Sequence, residues 1–544
     1  MLVCLIFKDL LLERAVGMSE VCVELVGKLV GEMLGLSKEE LSPSDNLISL
    51  GLGSLDIMRI AGLLTKNGCN VTFSELVSNP CMASWVNFAR ERSARSSSNG
   101  SPLLGSANYS KGDPFPITSV QHAYMVGRRD GQELGGTACH AYMEFECGSL
   151  DAAKLERAVE LLILRHPMLR ARFSDDGTAR IEDKVTWKGL TTYRVEGAGN
   201  PDSRIEGIRQ ELSHLRFDIE QDDLIDVRLT VVSPKRTIMH INVDLLAADV
   251  LSIQVLLEDL AHLYDGTDLA PIEIDFMEYA RRTGIGEDAR NEDREYWLNR
   301  IDNMPGGPSL PLKAPMESVK RSQFTRMEYL IDSKSWKNFT EKGRQIGVTQ
   351  SMGIAAVYAK ALSRWSEDKK FLLNLPLFNR KPIHPDVDKI VSDFTSLILL
   401  EADCANAISL LELASQMQGR FQQDVAHSSF GAVEVLRELS HRCPNDPKKA
   451  PVVFASNIGT QFISNKVEDV FGPLSKMLAE TPQVLLDHQI YDHKNGLLLA
   501  WDYVSELLDD KIAQQMFEAY CTAVRFYCEN DWSEPFPDLL PPSQ

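Results

Sequence analysis

The chain has 544 residues, 44% of them hydrophobic, which is enough to bury several cores. Its formal net charge is -20, from 57 basic and 77 acidic residues. That balance argues against non-specific binding to nucleic acid or anionic membrane, and reads first as a soluble, self-repelling surface. Ten cysteines occur without a CxxC pair or a Cys/His cluster of zinc-ligand spacing, so no metal site is expected. Reduced thiols in a cytoplasmic protein fit this usage. The apolar opening from Met1 to Phe7 lacks the basic start and cleavage site of a signal peptide, and Met18 is a candidate start. No stretch approaches the length of a membrane span.

Residues 19–92 carry dense helical patterning. Val21 to Leu34 has apolar residues at helical spacing, with Gly35 placed as a C-terminal cap. A polar loop from Ser42 to Asn46 leads to Leu50-Gly-Leu-Gly53-Ser54 and a second helix from Leu55 to about Lys66, closed by Gly68. Ser74 to Val77 and Met82 to Arg90 are shorter helical pieces, broken at Pro80. Residues 93–113 are rich in Ser and Gly and read as a linker. Beyond it, Ala141 to Glu146, Arg228 to Val232, Thr237 to Val243 and Phe371 to Leu375 are strand-like. Ala152 to Arg165, Val250 to Tyr264, Gln350 to Trp365 and Asp509 to Cys528 are helix-like. Such mixing without regular βαβ spacing predicts an α+β fold. More than 400 residues exceed one core, so two lobes are expected, at 114–290 and 291–536, with a site between them.

Ser54 stands where the glycine loop meets its helix, and an N-cap is its plainest reading. Its surroundings resemble the phosphopantetheine site of carrier domains, in a match that runs on to the Pro80 to Trp85 stretch. The resemblance implies a 4′-phosphopantetheine arm on the Ser54 hydroxyl. Many carriers have Asp before the serine, where this chain has Gly53.

Asp244-Leu-Leu-Ala-Ala-Asp249-Val-Leu-Ser252 follows an apolar strand and opens an amphipathic helix. Taken singly, Asp249 reads as an N-cap and Asp244 as a strand-end carboxylate. Together they give Dx4DxxS, which resembles the signature of heterocyclization domains in nonribosomal peptide synthetases. Related condensation domains carry HHxxxDG in the same loop, so the histidine usually invoked for condensation is missing here. Seven further segments resemble that family in order: Phe115 to Arg128, Arg165 to Phe173, Leu310 to Leu312 after Tyr296-Trp297, Ser392 to Ser396, Pro451 to Asn457, Thr481 to Gln489 and Ala500 to Asp502. The nearest likeness is the loading region of siderophore synthetases of the yersiniabactin and pyochelin type. The implied fold is a small four-helix carrier bundle followed by a two-lobed, chloramphenicol-acetyltransferase-like domain.

The resemblance implies two reactions. The amine of a carrier-bound Cys, Ser or Thr attacks an upstream acyl thioester. That residue's side chain then attacks the new amide, and loss of water gives a thiazoline or oxazoline. The second step needs a positioned proton donor and acceptor. The family assigns it to an aspartate matched by Asp487 and a threonine whose place is held by Ala455. Ser456 is the adjacent hydroxyl, but on a strand it points to the other face. Asp487, Asp244, Asp249 and Ser456 are thus the candidate catalytic residues, and Ser54 the cofactor site. His166 reads as a packing residue, His140 and His488 are left open, and Arg128 is a partner for a nearby carboxylate. Implied partners are a phosphopantetheinyl transferase, a stand-alone acyl- or aryl-adenylating enzyme, and a downstream peptidyl carrier or synthetase subunit. Ala455 keeps open an amide synthase without ring closure, and Gly53 with Ala455 a degenerate docking scaffold.

Overall fold

The computed structural model describes residues 23–37, 40–66, 69, 71–95, 112–195, 200–283, 287–378, 380–381, 383–442 and 448–539. The expected start at Met18, the Gly68 cap and residues 96–111 of the expected linker lie outside them.

The first segment is helical, as its patterning requires. Residues 23–34 form a helix ended by Gly35, whose φ of 67° is the left-handed conformation that glycine adopts without strain. Helices Leu47–Leu50, Ser54–Lys66, Phe73–Ser78 and Met82–Arg95 follow, the last continuing past the expected end at residue 92. Asn46 caps the first of these, and Thr72 and Glu75 form a capping box on the third. Val26, Val30, Ile57, Ile60, Leu64 and Trp85 close the bundle core. Cys69 is disulfide-bonded, against the expectation of reduced thiols throughout. Cys81, Cys139, Cys147, Cys404, Cys521 and Cys528 are free.

The remainder is α+β. A five-stranded sheet has the order Leu474–Glu480, His140–Cys147, Arg236–Asp244, Ile225–Ser233, Thr191–Arg194. A six-stranded sheet runs Thr395–Asp403, Lys370–Phe378, Val452–Gln461, Leu486–His493, Gly496–Val504, Phe324–Asp332. Helices Ala152–Arg165, Val250–Tyr264 and Gln350–Trp365 have the expected bounds, set by the side-chain caps Asp151, Asp249 and Thr349. The last long helix is Asp510–Glu529, because Asp509 is its N-cap.

One connection decides where a site can form. Strand Leu474–Glu480 leaves the C-terminal half to pair antiparallel with His140–Cys147, Met477 opposite Met143. The next strand, Leu486–His493, is back in the six-stranded sheet, parallel to Val452–Gln461. The short segment Thr481 to Leu485 therefore crosses between the sheets. The expected division at residue 290 separates stretches of chain, and this strand crosses it in space.

The Dx4DxxS loop ties the two sheets together. Arg128 pairs with Asp244, both almost wholly buried, and the Leu246 N–H donates to Asp244 at 3.1 Å. Gln121 donates to the Leu246 carbonyl at 2.8 Å. Gly127 is where the opening motif meets the crossing segment, and a Cβ there would lie 2.6 Å from Pro482. On the other side Asp249 accepts from the Ser252 N–H at 2.7 Å and from Arg380 at 2.8 Å. Ser252 donates to the Ser392 carbonyl at 2.7 Å. Removing one partner of a buried ion pair leaves the other desolvated and unpaired. Asp244→Ala is thus expected to destabilise the protein by about 3–5 kcal/mol in denaturant unfolding. A loss under about 1 kcal/mol, the worth of an exposed pair, would show that the loop is not a structural tie.

Candidate active site

A cavity of about 530 Å³ lies between the sheets, at the crossing segment. Its walls come from the Dx4D loop (Leu245, Ala248, Asp249), the opening motif (Tyr124), Asp393 and the central strands of the six-stranded sheet. Among the described residues that line it there is no histidine. His140 is buried against the Ser213 carbonyl. His166 is held by Asp259 at 2.9 Å. His488 lies between the Ala500 carbonyl and the Tyr520 hydroxyl, and burial pushes its pKa down to about 3. All three have structural partners.

Strand alternation sorts the candidates. Val453, Ala455 and Asn457 face the cavity with Asp487, Gln489 and Tyr491 of the neighbouring strand. In register Val453 lies opposite Asp487 and Ala455 opposite Gln489. Ser456 is on the other face, as its position on a strand requires, and its hydroxyl bonds Ser351 at 2.8 Å. It therefore does not stand in for the hydroxyl that Ala455 lacks. Asp244 does not line the cavity and is committed to Arg128. Asp249 touches the cavity wall, but its Oδ1 serves both the helix cap and Arg380, and its Oδ2 accepts from the Phe394 N–H at 3.4 Å.

Asp487 differs from both. It is 6% exposed. Its Oδ2 accepts from Gln489 at 2.6 Å, and its Oδ1 has no hydrogen-bond partner among the described residues. Burial, with the charge of Asp502 added, pushes its pKa up to about 7, while the Gln489 bond and Arg326 oppose the shift. The orientation of Gln489 is forced. Its Oε1 accepts from Arg326 at 2.8 Å and from the Tyr491 hydroxyl at 2.5 Å, so its amino group must turn to Asp487. Arg326 is itself fixed by Asp502, at 2.8 and 2.5 Å, across adjacent strands. The crossing segment adds Gln483, which lines the cavity with a φ of 64°, uncommon for a side-chain-bearing residue. Asp393 also lines the cavity, and its pKa is raised to about 7, chiefly by burial. Gln489, Tyr491, Arg326 and Asp393 were not singled out in the sequence. Gln489 and Asp393 lay within motifs, and the alternation Asp487-His-Gln489-Ile-Tyr491 added a further signal, polar side chains on one face of a strand.

The carrier segment packs on the same lobe. Ser78 donates to the Gln422 carbonyl at 3.1 Å, and the Arg344 guanidinium lies against Gly51. Ser54 opens its helix, but the N-cap is Gly53, whose carbonyl accepts from the Ile57 N–H at 3.1 Å. Asp56 reaches back to the Gly53 N–H at 2.9 Å, so the N-cap reading of Ser54 is corrected. A small pocket of about 50 Å³ separates Gly53 and Asp56 from Ser351 and Ser456. Pro376 and Phe378 line both this pocket and the large cavity. A helix start at a glycine loop, beside a pocket sharing walls with the cavity, fits a phosphopantetheine arm. A Cβ on Gly53 would meet nothing closer than 3.4 Å, so the glycine is not required by crowding.

A carrier fold beside a domain whose two larger sheets flank a cavity defines a carrier-linked acyl-transfer protein. Residues 115–530 match the condensation domain family and residues 24–89 the phosphopantetheine attachment site family. The chain belongs to the condensation-domain family, with an N-terminal carrier domain for covalently attached 4′-phosphopantetheine. It is similar to the phenyloxazoline synthase MbtB of Mycobacterium sp. strain MCS, 35% identical over 493 residues, 90% of this chain and 42% of that protein. It is 34% identical over 527 residues to the pyochelin synthetase PchE of Pseudomonas aeruginosa, covering 96% of this chain and 36% of that protein. The chain thus spans about two-fifths of these curated relatives. Among solved structures, the cyclization-docking bidomain of the EpoB nonribosomal peptide synthetase from Sorangium cellulosum superposes with a TM-score of 0.72 at 28% identity, covering 84% of this chain and 93% of that one. Among the described residues no helix is long and apolar enough to cross a membrane.

The raised pKa of Asp487 makes a stability prediction. The folded state holds this proton more tightly than the unfolded chain, so the stabilisation is complete below the usual carboxylate pKa and is lost as pH rises through about 7. Asn at 487 cannot titrate. The Tm of Asp487→Asn relative to wild type is expected to rise between about pH 5 and about pH 8. A difference that stays flat over that range would place the ordinary carboxylate pKa on Asp487.

Proposed function

We propose that this chain is a carrier plus heterocyclization unit of a siderophore-type nonribosomal peptide synthetase. An acyl group carried at Ser54 is condensed with a carrier-bound Cys, Ser or Thr, and the amide is cyclodehydrated to a thiazoline or oxazoline. One observation carries this reading. The histidine-free cavity holds a buried carboxyl, Asp487, poised near neutral pH with one oxygen free. The names of the relatives, a phenyloxazoline synthase and a pyochelin synthetase, agree with it. The starter is an aryl acid such as salicylate or 2,3-dihydroxybenzoate, activated by a separate adenylating enzyme. A phosphopantetheinyl transferase primes Ser54, and a downstream carrier supplies the acceptor in the cytoplasm.

The arm supplies the acyl group as a thioester. In amide formation the acceptor nitrogen bonds the acyl carbon as the carbon–sulfur bond breaks, and the amine proton leaves with the sulfur. The cavity contributes position and exclusion of water to this step. Ring closure asks more of the residues. As the acceptor's sulfur or oxygen attacks the amide carbon, Asp487 in its ionised form accepts the proton. It returns that proton to the amide oxygen, then takes the proton of the amide nitrogen and gives it to the same oxygen, which leaves as water as the carbon–nitrogen double bond forms. A pKa near 7 lets one group do both at neutral pH. Gln489, fixed by Arg326 and Tyr491, holds Oδ2 and leaves Oδ1 without a partner among the described residues. Asp244 and Asp249 serve as the structural tie.

Ala455 favours a second reading, an amide synthase that closes rings slowly or not at all, since no side-chain hydroxyl stands opposite Gln489. A phosphopantetheinyl transferase with coenzyme A should add one phosphopantetheine mass to wild type and none to Ser54→Ala. Equal masses would remove Ser54 as the attachment site. With an acylated chain and a cysteinyl acceptor, a product lighter than the linear amide by one water supports heterocyclization, and linear amide alone supports the second reading. Ala455→Thr is expected to raise the ring-to-linear ratio several-fold, since one general acid–base group contributes about 10²–10⁴ in rate at most. An unchanged ratio would mean that the missing hydroxyl is not limiting.

A further inference from the structure

Ring closure moves two protons to one oxygen. The amide oxygen leaves as water, taking one proton from the attacking thiol or hydroxyl and one from the amide nitrogen. A single carboxyl must do this in two turns, and the hydroxyl that could share the task is absent at Ala455.

The cavity holds a second carboxyl with a free oxygen. Asp393 is 1% exposed. Its Oδ1 accepts from the Thr395 N–H at 3.0 Å, and its Oδ2 has no hydrogen-bond partner among the described residues. No ion pair to it is formed among the described residues, and Arg380 only partly opposes the shift. Arg380 is engaged by Asp249 and Ser252, each at 2.8 Å, and by the Val387 and Ile390 carbonyls, and it stacks on the Phe394 ring at 4.2 Å. An ionised carboxylate in this place would be buried with one oxygen unpartnered, so the fold favours its protonated form. The groups that act on it are Thr395, whose side chain and N–H oppose the rise, Asp249 from the helix start, Arg380 from the loop after strand Lys370–Phe378, and Tyr124 from helix Ser119–Gly127. Asp487 meets Asp502 and Arg326 on its own side. Both aspartates line the one cavity, and both act on the Tyr124 hydroxyl, which also lines it. A purely packing residue here would be cheaper as an apolar side chain, since a buried unpartnered oxygen costs stability.

We propose that Asp393 is a second proton-transfer residue of ring closure, sharing with Asp487 the task for which Ala455 supplies no hydroxyl. The proposal rests on the heterocyclization reading. Asp487 takes the proton of the attacking sulfur or oxygen. Protonated Asp393 gives its proton to the amide oxygen as the ring bond forms. When the carbon–oxygen bond breaks, Asp487 donates its acquired proton and water departs. The ring nitrogen then releases its proton to the Asp393 carboxylate, and the carbon–nitrogen double bond is complete. Both carboxyls end in the state in which they began, and no oxidant, reductant or further reactant is consumed.

The test uses the full chain, primed at Ser54 from salicyl-coenzyme A by a phosphopantetheinyl transferase, with the N-acetylcysteamine thioester of cysteine as acceptor. Linear and cyclised products are separated by mass. Wild type that forms linear amide but no ring would overturn the underlying reading, whatever the variants do. If wild type forms the ring, Asp393→Asn is expected to lower the ring-to-linear ratio at least ten-fold. Asparagine keeps an oxygen for the Thr395 N–H, and thermal unfolding checks that the variant is folded. Adding Ala455→Thr to Asp393→Asn is expected to raise the ratio by a larger factor than the same change does in wild type, a non-additive rescue that a merely structural role would not give. A ratio within two-fold of wild type for Asp393→Asn, or a gain from Ala455→Thr no larger in that variant than in wild type, would overturn the assignment.

Discussion

The candidate site depends on a buried charge that never reaches the cavity. Arg326 is held by Asp502, reaches Glu328 at 3.4 Å, and gives a further donor to the Gln489 oxygen. With the Tyr491 hydroxyl donating to the same oxygen, the amide of Gln489 has one orientation left. Its amino group then fixes one oxygen of Asp487 and leaves the other free. The supporting residues lie on three neighbouring strands, Leu486–His493, Gly496–Val504 and Phe324–Asp332. Rigid strands hold a reacting group more closely than loops do. A free carboxylate oxygen in such a setting is costly to ionise, and that cost brings its titration to the pH at which it can both take and give a proton.

The Dx4DxxS loop has a different task from the one its position suggests. Its aspartates are satisfied by Arg128 and Arg380, and its serine by the Ser392 carbonyl. It closes one wall of the cavity and ties the opening motif to the segment that carries Asp393. A loop that in related proteins carries histidines is here a pair of buried salt bridges. The carboxyl with an unpartnered oxygen lies instead on strand Leu486–His493, just after the crossing segment. This division explains why the loop identifies the type of domain while Asp487 and Ala455 bear on what this copy does.

Much of the architecture was legible because it is written locally. Helices Ala152–Arg165, Val250–Tyr264 and Gln350–Trp365 each pair an apolar 3.6-residue period with a capping side chain. The opposite faces of Ala455 and Ser456 followed from strand alternation alone. The cap at Ser54 was misread because Asp56 reaches back to Gly53, shifting the helix start by one residue. Strand Leu474–Glu480 was not legible as part of the first sheet, since its pairing with His140–Cys147 joins residues more than 300 apart in the chain. The same holds for Arg326 and Gln489, separated by 163 residues. Asp393 was visible as part of a motif, but its free oxygen is a property of what surrounds it and has no local signature.

The central claim is that Asp487 acts in ring closure and contributes little to amide formation. It is tested most directly by following both products of Asp487→Asn over time, with the acylated full chain and a cysteinyl acceptor. The account predicts that linear amide accumulates while the dehydrated ring falls at least a hundred-fold, within the range of about 10²–10⁴ expected for loss of a general acid–base group. Ring and amide falling together, or ring formation that persists at the wild-type rate, would contradict it.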